Sequence, residues 1–268
     1  MRRFFVEEIN TEDGSFVITG SEAKHITRVL RMGRGDRFIL MDNTGARFEA
    51  VIKSSAQGEV LVTLEKPLPG PPRSPVEIIL CQALLKSGPM DTLIQKTSEL
   101  GVARIIPFAS ARTVAMPRED RLTNRMRHWR EIARSAAKQA DRHAPAHIGS
   151  LQPFPDLMRQ WDDPEVLKVI LWEKEGSRDL KSILRVSVPG SKFVGFVGPE
   201  GGFSREEMAI TEEAGGISVS LGQRILRAET AAITLVAIVQ YEWGDLSLNY
   251  NTPPNSAAPP SSCSILKS

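Results

Sequence analysis

The chain has 268 residues, enough for one large domain or two modest ones. Its 41% hydrophobic and 25% charged residues are globular proportions, which exclude collagen, coiled coils and wholesale disorder. No apolar run is long enough to span a membrane, and the opening residues are too polar for a signal peptide. The two cysteines, Cys81 and Cys263, make no disulfide or zinc framework. We therefore expect a cytoplasmic protein with no membrane partner and no metal.

The net charge of +2 hides an uneven distribution of charge along the chain. Residues 104–147 contain ten arginines and lysines against four acids, a local net charge of +6. A basic segment inside a nearly neutral chain can hold a polyanion without making the whole protein adhesive.

Residues 1–70 are predicted to form a small, mostly β domain, most simply a barrel. Short apolar runs with strand-like alternation lie at 16–18, 37–40, 48–52 and 60–64. One helix is predicted over residues 22–32, with Ile26, Val29 and Leu30 on its apolar face.

Residues 75–246 are predicted to form a second domain, of the α/β type. Five prolines between residues 67 and 75 come first and predict a stiff linker. Buried-type strands are predicted at 76–84, 102–108, 166–172, 193–197 and 217–221. Strands that alternate with helices favour a mostly parallel sheet. The last residues, 247–268, are rich in Ser, Pro and Asn and are predicted to be a disordered tail.

A glycine-rich turn at residues 198–202 is the strongest local motif. It follows a predicted strand, and Ser204 and Glu207 have the spacing of a capping box that opens a helix. The turn lacks the lysine of a phosphate loop, and Glu200 would repel phosphate. Its acidity suits a ligand that is neutral or cationic at that end, although a tight, capped turn without a ligand explains the same residues.

A second motif spans residues 221–232, where a short strand leads into a long, alanine-rich helix that is apolar almost all round. Arg227 and Glu229 stand at the start of this helix. They fit either a ligand site or a simple cap and ion pair.

A basic helix is predicted over residues 121–140. Arg130, Arg134 and Lys138 align on one face at four-residue steps, without acids at matching steps, so this face repels itself unless an anion meets it. The helix of the first domain carries Lys24, Arg28 and Arg31 in the same manner. Two basic surfaces in two domains fit a long, folded nucleic acid, whereas an ordinary solvated face is the simpler alternative.

Other catalytic patterns are missing from the sequence. The four histidines have no metal-ligand spacing, and no Gly-x-Ser-x-Gly elbow is present. These absences favour a reaction whose chemistry a bound cofactor supplies.

Taken in order, the motifs resemble the bacterial ribosomal RNA methyltransferases that methylate N3 of a single uridine in 16S rRNA, in the SPOUT superfamily. The motifs that carry the resemblance are Arg2-Arg3-Phe4-Phe5, the His25 to Arg31 segment, Gln82-Ala83-Leu84 with Lys86, Gln95 to Val102, Arg112, Gln139 with Arg142, Leu171-Trp172-Glu173, the glycine turn and the Leu221 to Ala231 segment. The resemblance covers residues 1–246.

The resemblance implies a fold, a donor and partners. A PUA-like β-barrel RNA-binding domain (residues 1–70) would precede a SPOUT α/β domain with a trefoil knot (residues 75–246). The methyl donor would be S-adenosyl-L-methionine, and the protein would be a homodimer that acts on 16S rRNA or the small ribosomal subunit. Lys138 and Asp141 depart from the family pattern, which commonly has Glu and Gly there.

The resemblance also implies site residues. Those expected to bind the donor are Leu171, Trp172, Glu173, Gly198, Pro199, Glu200, Gly201, Gly202, Leu221, Gly222, Ile225, Leu226, Arg227, Glu229 and Thr230. Those expected to bind RNA are Arg2, Arg3, Lys24, His25, Arg28, Arg31, Arg112, Arg130, Arg134 and Arg142. Arg112 and Arg227 are the candidates for catalysis, because their fixed charges can stabilise the anion that forms on the uracil when N3 loses its proton.

Two alternatives stay open at this point. The enzyme could modify another RNA site, such as a tRNA nucleoside. The chain could also be a non-catalytic RNA-binding factor for ribosome assembly, although such a factor would have no reason to keep the intact donor loops.

Overall fold

The computed structural model describes residues 1–10, 14–56, 58–113, 118–161, 163, 165–187 and 189–246. The predicted disordered tail, residues 247–268, lies outside them. Within these ranges the chain forms two separate sheets, one on each side of the proline-rich segment. No helix in this part of the chain is both long and apolar enough to cross a membrane.

The first sheet has five strands and belongs to the N-terminal half of the chain. Its strands are β1 (Arg3–Phe5), β2 (Ser15–Ile18), β3 (Arg37–Met41), β4 (Arg47–Ala56) and β5 (Glu59–Pro67), in the order β1-β3-β4-β5-β2. β1 pairs parallel to β3 and the other pairs are antiparallel. Phe4, Ile18, Phe38 and Val62 lie in the core that the sheet covers. The predicted small β domain is confirmed, with β1 as a strand that the sequence pattern missed.

The helix of this half differs from its prediction. It consists of α1 (Gly20–Lys24) followed by a π-helical turn, His25–Val29, rather than a regular helix over residues 22–32. Ile26 is buried, but the side chain of Val29 is 68% exposed. The wider π turn rotates the following residues away from the positions that a 3.6-residue period assigns to them. The prediction that Val29 faces the core is therefore wrong.

The second sheet is entirely parallel, as predicted. Its strands are β6 (Glu77–Ala83), β7 (Arg104–Ala109), β8 (His147–Ile148), β9 (Gln152–Pro153), β10 (Leu167–Leu171), β11 (Lys192–Val197) and β12 (Ile217–Val219). The order is β12-β10-β11-β6-β7-β8, and β9 also pairs with β7. Because all strands point the same way, their carboxyl ends lie along one edge of the sheet.

Helices cover both faces of the second sheet. They are α2 (Ser87–Glu99), α3 (Glu119–Gln139), α4 (Phe154–Arg159), α5 (Leu180–Val186), α6 (Arg205–Glu213) and α7 (Ala228–Glu242). One core contains side chains of α2, α3, α5 and α7, among them Trp129 and Leu235. The other contains α4 and α6 with an aromatic group that includes Phe108 and Phe154.

The C-terminal end of α3 packs against the first sheet. Lys138 forms an ion pair with Glu22. Asp141 forms an ion pair with Arg3 at 3.0 Å and accepts a hydrogen bond from Arg47 at 2.8 Å. We call this contact region the seam. The basic helix was predicted to have no acids opposite its row of cations. For Lys138 this prediction is wrong, because Glu22 of the other domain supplies the acid, which the sequence of the helix itself does not contain.

Candidate active site

A cavity of about 640 Å³ opens at the carboxyl-end edge of the parallel sheet. Loops that follow β10, β11 and β12 form its walls, and the beginnings of α2 and α7 close its sides. A cavity at this edge is where open α/β sheets bind their ligands.

The cavity brings together nearly all of the residues expected to bind the donor. Those in its wall are Leu171, Trp172, Glu173, Gly198, Pro199, Glu200, Gly201, Gly202, Leu221, Gly222, Ile225, Leu226, Arg227 and Glu229. Thr230 is not part of the wall and lies exposed in the first turn of α7.

The wall also includes residues that the sequence interpretation missed. They are Lys86, Pro89, Val197, Phe203, Val219, Ser220, Gln223, Arg224, Ala228 and Ala231. Lys86 precedes α2, just beyond the end of β6, so its position after a parallel strand could have indicated it. Gln223 and Arg224 lie between two predicted residues of the same loop.

Backbone geometry explains two of the glycines in the turn. Gly202 has a φ of +68°, and a Cβ atom there would lie 2.8 Å from a carboxylate oxygen of Glu173. A Cβ atom on Gly201 would lie 3.4 Å from the Cβ atom of Arg112. The turn is thus enclosed by Glu173 on one side and by the stem of Arg112 on the other, and its peptide groups remain the surface offered to the cavity.

The predicted capping box at the start of α6 is confirmed. The Ser204 hydroxyl accepts the Glu207 N–H at 3.2 Å, and a Glu207 carboxylate oxygen accepts the Ser204 N–H at 2.8 Å. The other carboxylate oxygen of Glu207 accepts the N–H of Ala111 at 2.9 Å, a contact that the local motif does not indicate.

The cavity wall carries charges of both signs. Its acids are Glu173, Glu200 and Glu229, and its cations are Lys86, Arg224 and Arg227. Arg227 is exposed at the N-cap of α7 and makes no side-chain cap hydrogen bond. Among the described residues, the ion pair between Arg227 and Glu229 that the simpler interpretation requires is absent.

Arg112 lies outside the cavity wall, against the glycine turn. Its Nη1 donates a hydrogen bond of 2.8 Å to the carbonyl oxygen of Gly201. The structure therefore brings Arg112 and Arg227 to the same site, but it places the first behind the turn and the second inside the cavity.

The loop after β10 is fastened by one carboxylate. Glu175 accepts hydrogen bonds from Ser177, from Arg178 and from the hydroxyl of Ser218 on β12. These donors, Ser177 foremost, lower the pKa of Glu175 to about 2. Trp172 and Glu173 begin this loop, so Glu175 ties one wall of the cavity to the strand that leads into the opposite wall.

Apart from Arg112, which lies exposed against the glycine turn, the residues expected to bind RNA fall into two groups. Arg2, Lys24, His25, Arg28, Arg31 and Arg130 are exposed. The guanidinium groups of Arg3, Arg134 and Arg142 contact the protein itself: Arg3 pairs with Asp141, and Arg134 with Glu131 and Glu7. Arg142 donates to the Ser98 carbonyl oxygen at 3.0 Å, and burial lowers its pKa to about 10. Arg142 is therefore not part of the RNA surface that we propose.

The described residues contain no cluster of His, Cys, Asp and Glu side chains that could hold a metal ion.

Comparisons with known proteins match both halves of the chain. Residues 72–240 match a model for the RNA methyltransferase domain, and residues 18–65 match one for the RNA methyltransferase PUA domain. Ribosomal RNA small subunit methyltransferase E of Bacillus subtilis is 29% identical over 248 residues, which cover 90% of this chain and 97% of that protein.

Two solved structures are similar over almost the whole chain. A methyltransferase of Legionella pneumophila in complex with SAM is 30% identical, with a TM-score of 0.84 and coverage of 91% of this chain and 98% of that one. Ribosomal RNA small subunit methyltransferase E of Neisseria gonorrhoeae, bound to S-adenosylmethionine, is 28% identical, with a TM-score of 0.84 and coverage of 92% and 100%.

Proposed function

The chain belongs to the RNA methyltransferase family as an S-adenosylmethionine-dependent rRNA methyltransferase of the SPOUT type, and we propose that its target is N3 of one uridine in the 16S rRNA of the small ribosomal subunit. The observation that carries the proposal is the cavity, which joins the loops expected to bind the donor to Arg227, a cation of the wall that forms no ion pair within the described residues.

The residues of the cavity fit S-adenosylmethionine. The space of about 640 Å³ suits a ligand of nucleoside size. Leu171, Trp172 and Leu226 offer apolar surface for an adenine ring, and the peptide groups of the glycine turn offer hydrogen bonds. The carboxylates in the wall would repel a phosphate ligand, but they are compatible with a sulfonium cation.

When bound, S-adenosylmethionine supplies an electrophilic methyl group. Uridine N3 must release its proton to solvent before it accepts the methyl group, and the resulting negative charge spreads to the two carbonyl oxygens of the uracil ring. An arginine side chain stays positively charged, and that of Arg227 forms no ion pair with any residue that the structure describes, so we assign it the role of stabilising this charge. We place Arg112 at the same site, because its guanidinium donates a hydrogen bond to the Gly201 carbonyl oxygen in the glycine turn.

The RNA surface is proposed to run across the seam. The ion pair between Glu22 and Lys138 brings α1 against α3, so the exposed cations of the two helices belong to one side of the molecule. Lys24 and Arg28 follow Glu22 on the first of these helices, and Arg130 lies two turns before Lys138 on the second. A folded RNA can contact both sets at once, with its phosphates facing the cations.

We also propose a homodimer. Large apolar side chains are exposed on the segment that contains α7: Ile225 is 91%, Tyr241 66% and Leu246 48% exposed. A second copy of the chain would remove them from water. Light scattering on the purified protein should give twice the monomer mass, and a monomer at micromolar concentration would contradict this part of the proposal.

The target position is tested by mapping modified nucleosides. In a strain that lacks the gene, one N3-methyluridine should disappear from 16S rRNA and should return when the gene is restored. A plasmid carrying Arg227→Ala should fail to restore it. Unchanged N3-methyluridine in 16S rRNA of the deletion strain would refute the proposed target.

A further inference from the structure

We infer that Arg112 and the buried Glu207 form a clamp that holds the glycine turn in its donor-binding shape, so that both act as positioning residues for the donor. The inference rests on the proposed function, because it assigns the turn to the donor. It concerns residues on the side of the turn that faces away from the cavity.

The clamp is a closed ring of contacts. Arg112 donates to the Gly201 carbonyl oxygen at 2.8 Å, and its neighbour Ala111 donates its N–H to Glu207 at 2.9 Å. Glu207 returns to the turn through the N–H of Ser204, at 2.8 Å. Ser204 lies three residues beyond Gly201, so the chain itself completes the ring.

Glu207 has an unusual environment for a carboxylate. It is only 5% exposed, and the described residues include no cation paired with it. Its two oxygens instead accept backbone N–H groups from two different segments, the loop that carries Arg112 and the start of α6. A capping box alone uses one oxygen, so the contact with Ala111 exceeds what helix capping requires.

One backbone hydrogen bond joins the loop that carries Arg112 to α6. Residues 110–113 form a tight turn, in which Ser110 donates its N–H to the Thr113 hydroxyl at 2.9 Å. The N–H of Ala111 reaches Glu207 of α6, and the charge of Arg112 also acts on the neighbouring Glu206. If Glu207 loses an acceptor atom, Arg112 is no longer held opposite Gly201.

The consequence is a defined coupling between two residues that do not contact each other. Glu207→Gln replaces one carboxylate oxygen by an amide NH2 group, which then faces the backbone N–H of Ala111 or of Ser204. At least one charge-assisted hydrogen bond is lost. Arg112→Ala removes the contact with Gly201 directly. If both act on the turn, the second substitution adds nothing once the first has been made.

The test is a double-mutant cycle on donor affinity. S-adenosylmethionine is titrated by calorimetry into the full-length wild type, Arg112→Ala, Glu207→Gln and the double variant. We expect each single variant to bind about tenfold more weakly, and the double variant to match the weaker single variant within about twofold. The Michaelis constant for donor should rise in parallel in both single variants, whereas that for RNA should stay unchanged in Glu207→Gln, whose side chain is not among those expected to bind RNA.

Ser204→Ala is the matched control. It removes the hydroxyl of the capping box but leaves the contact between Glu207 and Ala111, so it should lower the melting temperature and leave donor affinity within about twofold of wild type. The clamp would be refuted if the losses of donor affinity in the two single variants multiplied in the double variant. It would also be refuted if the single variants bound the donor as tightly as wild type. Because Arg112 is exposed, its variant keeps the test decisive even if Glu207→Gln fails to fold. A wild type that does not bind the donor would instead refute the proposed function.

Discussion

Arg227 lies in the cavity wall and forms no ion pair with the residues of the described ranges, so its charge is available to a negative charge that forms during the reaction. An interaction that strengthens only as the reaction proceeds changes the rate and not the binding. We therefore expect Arg227→Ala to lower the rate of methyl transfer in a single turnover by about 10²–10³, the range for removing one such donor. The assay is run at saturating donor and RNA.

A charge-matched control separates this effect from a change in net charge. Arg185 is exposed on α5 and is not part of the cavity wall, so Arg185→Ala should leave the rate unchanged. Dissociation constants for donor and RNA should move far less than the rate in Arg227→Ala. A rate within about threefold of wild type would show that Arg227 is not catalytic.

Glu175 gives the stability of the cavity a predictable pH dependence. Its pKa of about 2 in the folded protein lies below the ordinary value for a glutamate. The ionised side chain therefore stabilises the fold at every pH above the ordinary pKa. The contribution is lost as the pH falls from about 4.5 towards 2. We expect Glu175→Gln to be less stable than wild type at pH 7 by about 1.5–3 kcal/mol, the effect of a hydrogen bond to a charged group.

The difference between Glu175→Gln and wild type should shrink as the solution is acidified below pH 4.5, because the wild-type side chain then becomes neutral as well. Urea unfolding at several pH values measures it. Asp179→Asn is a useful comparison, since Asp179 is a helix cap whose pKa is lowered by hydrogen bonds from the N–H and the hydroxyl of Ser182, within its own helix. A difference that stays constant with pH would refute the role given to the Glu175 carboxylate.

At the scale of elements, α3 serves two purposes with one row of cations. Its exposed part presents Arg130 to solvent, whereas Lys138 in its last turn and Asp141, two residues after its end, dock the first domain. Asp141 is central to this docking, because it meets Arg47, whose side chain is only 5% exposed. Asp141 also has a φ of +53°, a conformation that Asp and Asn tolerate better than most residues.

Asp141→Asn isolates the charge of this residue, since it keeps the size and the backbone preference. We expect a loss of stability of about 1–2 kcal/mol, because the Arg47 guanidinium loses its carboxylate and keeps only carbonyl partners. Proteolysis in the linker around residues 68–76 should become faster. Arg134→Gln is the control: its ion pairs involve the exposed Glu131 and Glu7, so it should cost less than about 0.5 kcal/mol. Equal effects of the two substitutions would contradict the role of the seam.

The elements could be predicted from the sequence wherever their cause is local. The buried strands and the capping box at Ser204 each depend on neighbouring residues, and the structure has them. The donor loops were implied by the resemblance to the uridine-N3 methyltransferases, and the structure brings them together because the carboxyl ends of parallel strands meet at one edge. Contacts between distant segments had no such signal, as in the pair of Ala111 and Glu207, which are 96 positions apart. Val29 failed for a different reason, because a π turn breaks the helical period.

Exposed cations lie on both domains, and ion pairs join these domains at the seam. This arrangement leads to a prediction for the salt dependence of RNA binding. Arg28 and Arg130 are both exposed and make no ion pair among the described residues, although they lie on opposite sides of the seam. If one RNA spans the seam, each of them neutralises a phosphate in the same complex. The counterions released by the two contacts then add.

We therefore expect Arg28→Gln and Arg130→Gln each to reduce the slope of log affinity against log salt by about 0.7–0.9, and the double variant to reduce it by the sum. The measurement uses a fragment of small-subunit rRNA over a range of salt concentrations. Arg37→Gln is the control on the first domain, because that guanidinium already binds Glu49 at 2.8 Å and Glu65 at 2.7 Å and has no charge to spare for a phosphate. Donor affinity should not change in any of these variants, since none of the three residues lines the cavity. If the double variant has the same slope as one of the single variants, the RNA contacts only one domain. If both single variants keep the wild-type slope, the two cations are solvated and do not contact RNA.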